Sequence, residues 1–147
     1  MAALGLMCAC APQKSEEMNP FFAEYDTPHA VPAFDKIKNE HYMPAFVEGM
    51  KLHDEEIAAI VNNSEEPTFE NTILAYENSG DMLNRVSYVF FNVNEAHTND
   101  TLNAIAEEVT PLISAHSDNI ALNEALFARI KSVYDRMGEL GLEGEEA

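Results

Sequence analysis

Histidine is the side chain best suited to binding a metal or moving a proton near neutral pH. The chain carries five: His29, His41, His53, His97 and His116. A zincin-type helix sets two histidines four residues apart with a glutamate beside the first, so that both imidazoles meet one ion. No two histidines here lie closer than twelve residues. His53-Asp54-Glu55-Glu56 resembles such a motif only superficially, since no second histidine follows one turn on. It reads as a solvated helix face. His41, beside Glu40 near a helix start, reads as a cap or surface contact. His116 continues an apolar stripe and reads as a satisfied, partly buried core histidine. His41 and His116 are thus weak site candidates, and no catalytic or metal-binding residue is assigned. The carboxylate pairs Glu55/Glu56 and Glu107/Glu108 are neighbours in sequence, and consecutive helical residues do not face one another. No glycine-rich phosphate loop and no serine or cysteine nucleophile signature occurs.

Both cysteines fall in the first ten residues, which excludes a disulfide-stapled scaffold. Met1 to Cys10 is apolar throughout and is followed by the polar stretch Ala11 to Glu17. Ten apolar residues are too few to span a bilayer, which takes about 20. They read as the end of a secretory h-region. Met7-Cys8-Ala9-Cys10 resembles a bacterial lipobox with Cys10 as the lipidation candidate, although Met7 is an imperfect match and no basic residue precedes Lys14. Residues 1–17 are therefore read as a truncated signal and linker, with the bacterial cell envelope as the expected location and a lipid anchor as the expected route to the membrane.

At 147 residues, the chain is about one domain's worth of sequence. It holds 26 acidic against 8 basic residues, a net charge of −18. Nucleic-acid binding needs clustered Lys and Arg, so that class is excluded. An anionic lipid surface is disfavoured for the same reason.

The elements that would position these side chains read as all-α. Residues 18–43, with Pro20, Pro28 and Pro32 among Phe21, Phe22, Tyr25 and Phe34, predict an extended arm whose aromatics dock elsewhere. The body, residues 44–137, predicts about four to six helices. The first runs from Pro44, in its first turn, to Asn62, with Phe46, Val47, Met50, Ile57, Ile60 and Val61 as its stripe. Thr68 reads as the N-cap of a short helix with Phe69, Ile73 and Tyr76 on one face, interrupted at Ser79-Gly80. Asp81 reads as the next N-cap, before Met82, Val86, Val89, Phe90 and Val93. After Thr98-Asn99-Asp100 comes a stripe of Leu102, Ile105, Ala106, Val109, Leu112, Ile113 and His116, kinked at Pro111 and ended by Ser117-Asp118-Asn119. Leu126, Ile130, Val133, Tyr134 and Met137 mark a last helix from Asn123 to Met137, ended by Gly138. Residues 138–147 read as an acidic, truncated tail.

Three blocks carry a family resemblance. Asn19-Pro20-Phe21-Phe22 with Phe34-Asp35-Lys36-Ile37-Lys38-Asn39-Glu40-His41-Tyr42-Met43-Pro44-Ala45-Phe46 resembles the opening of the M3 family of zinc metallopeptidases, the thimet-oligopeptidase-like enzymes. Pro67-Thr68-Phe69-Glu70-Asn71-Thr72-Ile73, then Ser79-Gly80 and Leu83-Asn84-Arg85-Val86, is similar to the family's next block. Ala115-His116-Ser117-Asp118-Asn119-Ile120 with Leu122-Asn123-Glu124-Ala125-Leu126-Phe127 resembles a third. The likeness covers roughly residues 19–137 and is strongest to the peptidyl-dipeptidase branch.

The resemblance implies a helical N-terminal segment, part of the wall or dome over a channel that admits short peptides. It also implies a catalytic zinc held by a His-Glu-x-x-His helix and a later glutamate, with the motif glutamate activating the metal-bound water. None of these ligands occurs here, so zinc belongs to the parent enzyme and the chain alone is expected to be inactive. The expected partner is the missing C-terminal catalytic domain, and short peptides are the parent's expected substrates. The alternatives are a stand-alone acidic helical envelope lipoprotein acting as a binding module, and an independent hydrolase mapping to His41 or His116.

Overall fold

The structure, a computed structural model, describes residues 18–140. The readings placed on residues 1–17, Cys10 among them, and on residues 141–147 lie outside the described residues. Among the described residues the fold is all-α, with no strand. No described helix is long and apolar enough to cross a membrane.

Four long helices carry the body: α1 (Asn39–Val61), α3 (Asp81–Ala96), α4 (Asp100–Ala121) and α5 (Glu124–Tyr134). Between α1 and α3, a π-helical segment Phe69–Leu74 runs into the short α2 (Ala75–Glu77), and a four-residue α6 (Met137–Leu140) follows α5. The central helix is α1, which lies against both α3 and α4 and also meets α5.

The arm does dock, through two of its aromatics. Phe21 is fully buried against Tyr42, ring centroids 5.6 Å apart. Asn19 fixes this entry by accepting from Phe21 N–H at 3.1 Å and donating to the His41 carbonyl at 2.8 Å. The Arg85 guanidinium stacks 5.4 Å over the Tyr25 ring and donates to the Phe21 carbonyl at 3.2 Å. Phe22 and Phe34 stay exposed. From Tyr42 an aromatic chain runs inward through Phe90 (4.9 Å, edge-on) to Phe46 (5.3 Å, edge-on), geometry that the ring quadrupoles favour. Leu83, Val86, Leu102, Ile105 and Val109 complete this main core. A second, smaller core of Ile57, Ile60, Ile120 and Leu126 joins the far ends of α1 and α4 to α5.

Several boundaries differ from the sequence reading. Helix α1 starts at Asn39 rather than Pro44, inside the stretch read as extended arm. The cause is a cap the usual cap residues do not announce: Lys38 N–H donates to His41 Nδ1 at 3.0 Å, and His41 N–H returns to the Lys38 carbonyl at 3.0 Å. Pro44 therefore lies in the second turn, exposed, and Val47 also faces solvent. Asp81 is the first residue of α3, not its cap, where its charge suits the helix dipole. The cap position is Gly80, at φ +75°, a conformation open to glycine. Helix α4 runs through Pro111 and through Ser117-Asp118-Asn119, because His116 and Ile120 bury on the face shared with α1. Leu112, placed on that stripe by spacing, is exposed. In the short helix after Thr68 the buried residue is Thr72, while Tyr76 is exposed. The last helix ends at Tyr134, and Gly138 lies within α6 instead of terminating a helix.

Candidate functional site

The described histidines divide sharply. His29 is exposed in the arm, in a left-handed conformation (φ 61°), and His97 is exposed at the C-cap of α3. His41 is buried, with Nδ1 consumed by the α1 cap. The remaining two meet. His53 from the middle of α1 and His116 from the third quarter of α4 approach to 3.0 Å between His53 Nδ1 and His116 Nε2, with ring centroids 5.0 Å apart. His53 is therefore not on a solvated face; it is the half-buried partner of a buried histidine.

Both outer nitrogens are engaged as well. His116 Nδ1 lies 3.3 Å from Asp54 Oδ1. His53 Nε2 lies 3.2 Å from Ser79 Oγ, and that hydroxyl donates to the Tyr76 carbonyl at 2.6 Å. The Ser79-Gly80 turn closes tightly on the imidazole: a Cβ at Gly80 would stand 2.9 Å from the His53 ring. Glu56 secures the same turn by accepting from Gly80 N–H at 2.7 Å. Burial, with the neighbouring His116 second, lowers the His53 pKa from 6.5, against the smaller opposing pull of Glu56 and Asp54.

The chemistry open to this cluster is limited. An aligned Ser79–His53–His116–Asp54 chain looks like a nucleophile relay, but the Ser79 hydroxyl is buried and its proton points to a carbonyl, so it is not presented to a substrate. A catalytic zinc does not fit either. The cluster supplies two facing ring nitrogens and no third ligand, and among the described residues no group of three or more His, Cys, Asp or Glu could hold a metal ion. What the geometry does provide is a buried hydrogen-bonded seam joining three elements.

A second polar anchor was not visible in the sequence. Arg129 of α5 donates to the Asn63 carbonyl at 2.7 Å and to Asn71 Oδ1 at 3.2 Å, tying α5 to the loop after α1 and to the π-helical segment. Fully buried Thr72 lies within 3.5 Å of the same guanidinium. Arg136 adds a bond to Glu66 at 2.6 Å.

Among known proteins, the chain is 47% identical over 128 residues to the dipeptidyl carboxypeptidase of Escherichia coli K12, covering 87% of this chain. It is 46% identical over 127 residues to the dipeptidyl carboxypeptidase of Salmonella typhimurium LT2. Oligopeptidase A of Escherichia coli K12 is more distant, at 26% over 109 residues. No family model matches. These relatives are peptidases of the M3 family, and this chain is homologous to one part of them. Among them, the nearer likeness is to the two dipeptidyl carboxypeptidases, of whose length the chain spans about a fifth (19%).

Proposed function

We propose that this chain is the N-terminal, non-catalytic part of a zinc-dependent peptidyl-dipeptidase, an enzyme that releases dipeptides from the C-termini of short peptides. The observation that carries the reading is the 47% identity to a dipeptidyl carboxypeptidase over 87% of this chain, against 19% of that protein. The helices would form part of the wall of the substrate channel, and zinc would be held by the remainder of the enzyme. An envelope location, with Cys10 as a lipid anchor, belongs to the same reading and rests on the sequence of residues 1–17 alone.

The surface supports a role beside a larger body. Leu122 at the end of α4 is 79% exposed, and Phe127 and Tyr134 on the outer face of α5 are 64% and 69% exposed. Phe127 and Tyr134 are seven residues apart and so share one face, about 100° round the helix from the Leu126 and Val133 stripe that buries inward. Large apolar side chains left bare along one side mark a surface that something covers. We assign its occupant as the remaining four-fifths of a family-length chain.

An immunoblot of source cells, with an antibody raised to residues 40–137, tests the reading. The expected product is about fivefold larger than 16.3 kDa, with chelator-sensitive release of dipeptides from peptide C-termini. A sole product near 16.3 kDa overturns it. So does a large product whose dipeptide release is absent or indifferent to chelation.

A further inference from the structure

The proton positions in the histidine seam follow from counting. Ser79 has one hydroxyl proton, and it goes to the Tyr76 carbonyl at 2.6 Å. Toward His53 the Ser79 oxygen must then accept, so His53 Nε2 carries a proton. At the other end His116 Nδ1 lies 3.3 Å from the exposed Asp54 carboxylate, an ion pair only when that nitrogen is protonated. Between the rings, His53 Nδ1 and His116 Nε2 are 3.0 Å apart, which takes one proton and only one. The three hydrogen bonds, Ser79 to Tyr76, His53 to Ser79 and ring to ring, are therefore all made with one proton on each ring, His53 Nε2–H and His116 Nε2–H, as in two neutral imidazoles. A second proton between the rings, on His53 Nδ1, sets two N–H groups and a positive charge against each other across 3.0 Å.

We propose that His53 and His116 share a single proton as an acid-sensitive clasp, which pins α4 and the Ser79-Gly80 turn to α1 and opens when a second proton arrives. The charged groups facing the rings are Asp54 and Glu56 of α1 and the two histidines themselves. The turn contributes the Ser79 hydroxyl and the Gly80 amide, the latter held by Glu56. Among the described residues neither α3 nor α5 brings a charged side chain into contact with either ring. Beyond the clasp an open surface hollow of about 260 Å³ borders the same α1–α4 seam, lined by Asp54, Ile57, Asn119 and Ile120. Opening the clasp therefore loosens the far ends of α1 and α4, on which α5 rests through Leu126. The main aromatic core lies at the other end and does not depend on it.

The sign of the pH effect is fixed by the lowered His53 pKa. Between that lowered value and the unfolded value of 6.5, the unfolded chain binds the proton and the folded chain does not. The clasp's contribution is thus complete above 6.5 and is lost as pH falls through the folded-state value.

The test is urea unfolding of the 147-residue chain between about pH 7.5 and about pH 5, for the wild type, His53→Gln, His116→Gln and the double variant. One suppressed proton changes the folding constant by up to about tenfold per pH unit. The wild type should lose at least several-fold more of its folding constant on acidification than any variant, and the double variant should be no flatter than the singles. Parallel profiles overturn the proposal. Should the variants fail to fold, NMR titration of the wild-type imidazoles decides: His53 and His116 shifting together, apart from His29 and His97, supports a shared proton, and independent titration overturns it. The clasp stands or falls separately from the peptidase reading, since neither measurement uses activity.

Discussion

Replacing Arg129 by Met tests whether the guanidinium, and not the apolar stripe of α5 alone, seats that helix. Two of its hydrogen bonds are well formed, to the Asn63 carbonyl at 2.7 Å and to Asn71 Oδ1 at 3.2 Å. Two more, to the Glu65 carbonyl at 3.4 Å and Thr72 Oγ1 at 3.5 Å, are too long to count for much. A hydrogen bond to a charged group contributes about 1.5–3 kcal/mol. Asn63 is partly exposed, so its carbonyl would recover a water, and Asn71 Oδ1 keeps its bond from Thr68 N–H at 2.8 Å, which puts the gross loss near the lower end for each, about 3 kcal/mol in all. Against this, Arg129 Nε is buried without a partner, and removing it recovers about 1 kcal/mol. The net expectation is a loss of about 2 kcal/mol, a drop in melting temperature of about 6–10 °C for a domain of this size. Thermal unfolding followed by far-UV circular dichroism reads the total. Amide exchange locates it, because α5 should open more readily while α3, held by the main core, keeps its protection. A change below about 0.5 kcal/mol, the size of an ordinary surface substitution, would refute the assignment.

Two further outcomes follow from the packing. An ideal Cβ at Gly49 would stand 3.0 Å from Leu83 Cα and 3.2 Å from its N, backbone atoms that only a shift of α3 can move, so Gly49→Ala should destabilise by about 1 kcal/mol even after the roughly 1 kcal/mol helix-propensity gain. Chemical denaturation that instead shows stabilisation would mean the two helices are not this close. Phe127→Ser with Tyr134→Ser should cut hydrophobic-dye binding or self-association of the isolated chain by roughly half at nearly unchanged stability, as measured by dye fluorescence and light scattering. Unaltered dye binding would place the bare surface elsewhere.

Helix existence was legible wherever an apolar stripe ran uninterrupted. Leu102, Ile105 and Val109 fixed the buried face of α4, and Val86, Val89 and Phe90 that of α3. The misread boundaries share one cause: a tertiary contact overrode a local signal. Ser117-Asp118-Asn119 is a breaker cluster by propensity, yet two buried residues on the α1 side hold the helix through it. His41 caps α1 with a ring nitrogen, which no list of cap residues would suggest. The π-helical Phe69–Leu74 has its own wider period, and the residue it buries is Thr72, which hydrophobicity cannot flag.

The histidine seam was half legible, and the missing half lay in plain sight. His116 reads as a member of its stripe, and the same logic applies to His53. Phe46, Met50, Ile57 and Ile60 leave one vacancy at spacings of four, three, four and three, and His53 fills it. Its three acidic neighbours drew attention to a solvated face, but only Asp54 and Glu56 turn toward the cluster, and each does so to serve a polar group that α1 alone would leave without a partner: His116 Nδ1 and Gly80 N–H. A polar residue that interrupts an apolar stripe must find its partner on the facing element, because burial without one costs more than the interaction returns. Helix α1 and helix α4 each have one such interruption, His53 and His116, and the two rings satisfy each other. That pairing is a property of two stripes in register, which is why single-helix reading finds each histidine bland and only the packed fold gives them a common proton.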